Sequence, residues 1–421
     1  MKHVILGNGP AGVIAAETIR KHAPSDEITL IGDEPEPPYS RMAIPYLLSG
    51  GIDEKGTYLR KGKEHFAAQK ITLRTGRAKS VDAKKRAVAL DEGGALAFDR
   101  LLIATGSSPA RPPIEGIDLP GVHPCWTLAD ARKIMALAKP GAKVLQMGAG
   151  FIGCIIMEAL ASRGVALTVV EMGDRMVPRM MGVGAGGMIK RWVESKGVKV
   201  YTSTRVEAIR KKGNALDVRL SNGVAVDADL VISATGIKPN IGFLQSSGVT
   251  CAQGVVTDEY LQTNVPGIYA AGDCAEALDL ASGRHIVSAI QPTAADEAYC
   301  AGMNMAGKKT AMRGVTQLNV LDTLGLISTS FGEWQGVPGG DHAELSDERN
   351  YRFLRLEFGG DLLVGANCVG LTEHVGVLRG LIQSRAKLGA WKERLRQNPL
   401  ALMEAYLATA QAQSAWGLKK S

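Results

Sequence analysis

Cysteine is scarce in this chain and never paired. Six cysteines stand at 125, 154, 251, 274, 300 and 368 of 421 residues, with no C-x-x-C or C-x-x-x-x-C spacing. That excludes a disulfide framework, an iron–sulfur cluster and a cysteine-based zinc site, and it predicts a reducing, cytoplasmic setting. No cysteine lies between Met1 and Pro124. The seven histidines show no paired metal spacing, and no Ser-His-Asp arrangement can be assembled, so no metal site and no acid–base residue is expected. No apolar run approaches the roughly 20 residues of a membrane helix. Aromatic residues make up only 5% of the chain and are sparse in its basic stretches, which argues against nucleic acid as a partner.

What the chain has in quantity is glycine, 50 residues of it, and two glycine fingerprints stand out. The first is Gly7-Asn8-Gly9-Pro10-Ala11-Gly12, entered from Val4-Ile5-Leu6. Its apolar entry resembles a short signal peptide, but with the fingerprint starting at Gly7 it reads as the first strand. The second is Gly148-Ala149-Gly150-Phe151-Ile152-Gly153, entered from Val144-Leu145. Each is followed by a helical stretch, an apolar strand and an acid: Asp33 lies 21 residues beyond Gly12, and Glu171 lies 18 beyond Gly153. A glycine turn alone is weak, but the whole unit of strand, turn, helix, strand and acid is specific for a dinucleotide. The first glycine permits the tight turn, the second lets a pyrophosphate approach the main chain, and the third lets helix and strand pack closely. Helix N–H groups then face the phosphates. The acid accepts hydrogen bonds from ribose hydroxyls, and at Glu171 it repels a 2′-phosphate, favouring NADH over NADPH; Arg175 and Arg179 nearby soften that preference. Two such units imply two dinucleotides, and so redox chemistry.

Strands and helices alternate over 1–110. Leu101 to Ile103 leads into Ala104-Thr105-Gly106, and the pattern returns as Leu230 to Ser233 before Ala234-Thr235-Gly236. An apolar strand later ends in Gly272-Asp273. A helix is expected from about Pro292 through Gly307. Beyond Gly314, β-like runs cover Leu318 to Leu321, Gly325 to Ser330, Tyr351 to Phe358 and Leu362 to Val369, with 335–340 as a loop. Helices close the chain, with Asn398 as an N-cap and Pro399 in the first turn, and Gln411 to Ser421 is expected to fray. The formal net charge of +7 is uneven: Lys55 to Arg86 holds 11 basic residues against 2 acids, and Arg175 to Arg219 holds 11 against 3. These are solvated faces or a docking surface for a small acidic electron carrier.

These ordered motifs resemble the FAD-dependent pyridine nucleotide oxidoreductases across essentially the whole chain. Gly32-Asp33-Glu34-Pro35 and Pro38-Tyr39-Ser40-Arg41 look like the ferredoxin and rubredoxin reductases and the flavin half of NADH-dependent nitrite reductases. The resemblance implies an α/β fold with two Rossmann-like FAD/NAD(P)-binding domains and a C-terminal α+β interface domain. The expected division is 1–112 with 243–312 for FAD, 113–242 for NAD, and 313–421 for a homodimer interface. It implies that Gly7, Gly9, Pro10, Ala11, Gly12, Asp33, Arg41, Ala78, Ala104, Thr105, Gly106, Gly272, Asp273 and Gln291 serve FAD. Gly148, Gly150, Phe151, Ile152, Gly153, Glu171, Thr235 and Gly236 would serve NAD(H). Asp33 would bind the FAD ribose, Arg41 would lie near its phosphates, and Asp273 would hold the ribityl chain.

The chain also departs from these relatives. Met42 stands where NADH oxidases, peroxidases and coenzyme A disulfide reductases carry a redox cysteine, and a thioether forms neither thiolate nor sulfenic acid. Ferredoxin reductases usually carry a lysine at the position of Tyr46 and a Trp-rich segment where this chain has Leu318 to Gly325; many relatives carry a glutamate, near the nicotinamide, at the position of Ile155, and an arginine is usual at that of Trp126. The expected activity is transfer of electrons from NADH through FAD to a rubredoxin- or ferredoxin-like carrier. Two other readings stay open: direct reduction of a quinone, oxygen or a sulfur compound, and an NADH-binding redox sensor that turns over slowly.

Overall fold

The computed structural model describes residues 1–62 and 64–411. They fall into two compact units, Met1–Ser108 with Ile237–Val315, and Pro109–Gly236 with the chain from Thr316. The expected fraying beyond 411 lies outside the described residues. Among those described, no helix is long and apolar enough to cross a membrane.

The first unit is built on a parallel sheet in the order Ile268–Ala270, Arg100–Ile103, Lys2–Leu6, Glu27–Gly32, Ile71–Thr75. Its central strands are nearly continuous apolar runs because both faces are covered. One face carries the helices Pro10–His22 and Gln291–Met305. Small residues bring these two together: a Cβ at Gly302 would press on Thr18 and the carbonyl oxygen of Ala15. The other face carries the antiparallel strands Ala78–Asp82, Ala87–Leu90 and Ala95–Ala97, whose Val81, Val88 and Leu90 pack on Val4, Leu6, Leu101 and Ile103.

The second unit repeats this plan. Its parallel sheet runs Lys199–Tyr201, Ala166–Val170, Lys143–Met147, Leu230–Ser233, Val122–Pro124. The strands Val206–Lys212, Ala215–Leu220 and Ala225–Ala228 cover one face, packing Ile209, Leu216 and Val218 on Leu145, Met147 and Val231. The same unit holds a five-stranded antiparallel sheet, Leu318–Thr323, Leu326–Gly332, Leu362–Val369, Arg352–Gly359, Asp341–Asp347. The helices Val375–Ser384, Ala390–Gln397 and Leu402–Tyr406 share its core.

One strand was not foreseen and one expectation fails here. Asp341–Asp347 is an edge strand, hidden in the sequence because an edge leaves one side wet and only Ala343 is buried. Asn398 caps the end of Ala390–Gln397 rather than the start of a helix; its Oδ1 accepts from Leu400 N at 3.2 Å, and the next helix begins at Leu402.

The antiparallel sheet is tied to the parallel half of its unit. Asn367, buried, accepts from Gly182 N at 2.9 Å and donates to Met180 O at 3.1 Å. Trp192 Nε1 donates to Thr323 O at 3.1 Å, and Gly184 lies against the Phe353 ring.

Candidate functional site

Each unit carries a strand–turn–helix whose three glycines have separable steric roles. Gly7 has φ +109°, and a Cβ there would collide with the carbonyl oxygen of Ala104. A Cβ at Gly12 would collide with the carbonyl oxygen of Gly7, while at Gly9 it would meet nothing within 4 Å. The second unit repeats the pattern: Gly148 (φ +96°) faces the Ala234 oxygen, Gly153 faces the Gly148 oxygen, and Gly150 has open space to 4 Å. Outer glycines thus close the turn on the protein, and the middle one opens its backbone to a ligand, which is what a pyrophosphate needs. Gly9 and Gly150 each precede a helix, Pro10–His22 and Phe151–Ala161, whose first-turn N–H groups have no intrahelical partner. Pro10, at the first position, gives up a donor the helix does not use.

In the first unit, a cavity of about 450 Å³ is lined by Gly7, Asp33, Arg77, Ala78, Thr105, Asn240 and neighbouring residues. Asp33 stands just beyond Glu27–Gly32, half exposed, with Oδ2 3.5 Å from Arg77 Nε. Thr105 Oγ1 donates to Asn240 O at 2.8 Å, and Asn240 Nδ2 donates back to Thr105 O at 3.0 Å. Gly106 (φ +64°) offers its oxygen to Asn240 N at 2.9 Å.

A second cluster gathers Arg41, Asp273 and Gln291. Arg41 Nη1 donates to Ser107 O at 3.0 Å and Nη2 to Glu34 Oε1 at 2.9 Å. Ser107 Oγ donates to Asp273 Oδ2 at 2.7 Å, and Ser40 Oγ to Gln291 Oε1 at 2.5 Å. Burial pushes the Asp273 carboxyl up, and the Ser107 hydroxyl and Arg41 charge partly offset that. Gly272, at φ +80°, would place a Cβ 3.2 Å from that of Ala11, so the Gly-Asp pair meets the first fingerprint directly.

In the second unit, Glu171 is held by the turn it follows: Oε2 accepts from Ala149 N at 2.7 Å and Oε1 from Gly173 N at 2.7 Å. Each oxygen keeps a further lone pair that a ribose hydroxyl can use. Arg175 folds onto its own loop, Nε donating to Met181 O at 2.8 Å and Nη1 to Asp174 at 2.6 Å. Thr235 Oγ1 reaches Ala110 O at 3.3 Å, and Gly236 O accepts from Ala110 N at 2.8 Å. Phe151 and Ile152 open their helix half-buried.

Sequence reasoning missed Ser107, Asn240 and Glu297. Glu297 is buried within Gln291–Met305 and accepts from Gly272 N at 2.6 Å; burial pushes its carboxyl up to about 8. Its only signal was its place on the helix face shared with Ala294, Ala298 and Ala301, whereas the neighbouring Asp296 is exposed.

Two glycine turns in one chain, each opening a helix, one beside a cavity of about 450 Å³ and one followed by the carboxylate of Glu171, fit a flavoprotein oxidoreductase that also takes a nicotinamide nucleotide. The chain belongs to the pyridine nucleotide-disulphide oxidoreductase family, which matches residues 1–296; it is an enzyme of FAD and NAD(P)H. It is 32% identical over 405 residues to the NADH-dependent phenylglyoxylate dehydrogenase subunit epsilon of Aromatoleum evansii, over 95% of this chain and 96% of that one. It is 32% identical over 318 residues to the rhodocoxin reductase of Rhodococcus erythropolis, over 75% of this chain and 74% of that one. Among solved structures it is similar to the NAD-dependent persulfide reductase from A. fulgidus, at 30% identity and a TM-score of 0.86, over 93% of this chain and 78% of that one.

Proposed function

We propose that the protein takes electrons from NADH and delivers them, through FAD, to a protein electron carrier. When bound, FAD supplies a ring that accepts a hydride at N5 and hands electrons on. The protein supplies position: the Gly9 and Gly150 turns hold the two pyrophosphates, Asp33 and Glu171 the riboses, Arg41 the flavin phosphates and Asp273 the ribityl chain. No side chain is needed as a general base, because a hydride carries its own electrons.

The state of the thiols carries the choice of acceptor. Burial pushes Cys125, Cys154 and Cys368 up to about 12 and Cys274 and Cys300 up to about 11, and it also raises Cys251. A thiol kept protonated is a poor nucleophile. At the position of the family's redox cysteine the chain has Met42, 44% exposed. Without a thiol relay, electrons leave for a docked acceptor. Exposed Arg77, Lys79, Lys84, Lys85 and Arg86 suit an acidic carrier. The end-to-end similarity to a dehydrogenase subunit and the similarity to a carrier-named reductase support a protein partner.

The same reading assigns FAD to 1–112 with 243–312, NAD to 113–242 and an interface to 313–421. It includes a cytoplasmic location, supported by six free cysteines, and a homodimer through the C-terminal segment, supported by exposed Leu400, Met403 and Leu407. The likeness to a persulfide reductase favours a second reading, direct reduction of a small sulfur compound.

Anaerobic stopped-flow reduction by NADH and by NADPH tests the donor. Fast reduction by NADH and slow reduction by NADPH support the reading, whereas slow reduction by both sinks it. Turnover with an acidic carrier should fall steeply with added salt, because screening shortens the reach of the basic surface. A salt-insensitive rate with a small sulfur acceptor favours the second reading.

A further inference from the structure

The strand entering the second glycine turn carries a polar residue where its counterpart carries an apolar one. Gln146 lies two residues before Gly148, as Ile5 lies two before Gly7, and both side chains are fully buried. Gln146 Nε2 donates to Gly148 O at 2.9 Å and to Gly153 O at 2.9 Å. Two carbonyl acceptors require the nitrogen on that side, so the orientation of the amide is settled by its partners. The other end is then left bare: Gln146 Oε1 is buried with no hydrogen-bond partner among the described residues.

A buried acceptor without a partner destabilises the fold, and Ile5 shows that the strand position accepts an aliphatic side chain. A locally unfavourable group at a ligand-ready turn points to function rather than stability. The turn itself supplies the reason. Gly148, Gly150 and Gly153 together leave its backbone entropically loose. Gln146 ties the oxygen of the first glycine to that of the third, which spans the segment that faces the ligand.

We propose that Gln146 is a positioning residue for the nicotinamide dinucleotide: its amide clamps the carbonyls of Gly148 and Gly153 so that the N–H groups of Gly150, Phe151 and Ile152 between them stay aimed at the pyrophosphate. Pre-aimed donors spare the ordering that a loose loop undergoes on binding. The inference rests on the assignment of the second turn to NAD(H).

The test uses flavin-loaded protein and the variants Gln146→Leu and Gln146→Glu. Calorimetry measures NAD+ binding, steady-state kinetics give KM and kcat for NADH, and FAD content and Tm are read on the same samples. For Gln146→Leu, Kd for NAD+ and KM for NADH should rise roughly five- to twentyfold, the loss expected for one to two weakened hydrogen bonds. The change in kcat should be far smaller, FAD content should hold, and Tm should equal or exceed that of the wild type. Gln146→Glu can donate only when protonated, so its NAD+ affinity should weaken as pH rises while the wild type stays level. NAD+ affinity within twofold of wild type in Gln146→Leu, or a flat pH profile in Gln146→Glu, overturns the proposal. A wild type that binds no NAD+ would instead sink the assignment of the turn.

Discussion

Substituting the middle glycine of the second turn should remove NADH while leaving the fold and the flavin in place. Gly150 has φ −75° and ψ −170°, an extended conformation open to alanine, and a Cβ there meets nothing within 4 Å. As an N-cap residue it loses only about 0.5 kcal/mol on replacement by alanine. The new methyl occupies the space a pyrophosphate needs. Losing one charge-assisted hydrogen bond there costs roughly 1.5–3 kcal/mol, or roughly 10- to 150-fold in affinity. Gly148→Ala must behave differently: at φ +96° and against the Ala234 carbonyl it should lose about 1–3 kcal/mol of stability. Gly9→Ala is the mirror control, expected to lose flavin while retaining its fold. Tm, flavin absorbance and NAD+ calorimetry on the three variants separate these outcomes. If Gly150→Ala binds NAD+ within twofold of wild type, the open space at that glycine is not the pyrophosphate site and the steric argument fails.

Three further outcomes are expected. Glu171→Gln should lower kcat/KM for NADH roughly tenfold, the worth of one charged hydrogen bond, and should affect NADPH less; an unchanged ratio between the two nucleotides in steady-state assays would remove Glu171 from the ribose. Cys274→Ala gives up weak bonds from Sγ to Ile103 O and Ala271 O and should lose about 1 kcal/mol of stability, yet keep its rate of reduction by NADH; loss of that rate in a folded, flavin-loaded variant would mean the thiol is redox-active. Burial lifts Glu297 from 4.5 to about 8, so the folded chain keeps a proton that the unfolded chain releases. That contribution is complete below about pH 4.5 and is lost as pH rises to about 8; Gln at this position should flatten the fall of Tm between those two values, and an unaltered Tm-against-pH curve there would count against a neutral Glu297.

The repeated plan was legible in the chain because its causes are local. Strand burial on both faces leaves apolar runs such as Val4-Ile5-Leu6, and turn sterics leave glycines at fixed offsets; both are written in neighbouring residues. Asp33 and Glu171 follow from the same short unit. Only the tertiary structure could join Thr105 to Asn240, 135 positions away, or Ser107 to Asp273, 166 away, since a hydrogen bond across that distance leaves no periodic trace. It also decided what Gln146 and Glu297 do. A polar residue inside an apolar strand or helix reads as noise until the carbonyl or N–H it meets is in place. The sequence alone thus determined that two dinucleotide turns exist. The packing of distant segments determined which groups close each turn, which glycine stays open, and why the thiols of Cys125, Cys154, Cys274, Cys300 and Cys368 are pushed up while Cys251 stays exposed: burial is a property of the fold and not of the neighbours in the chain.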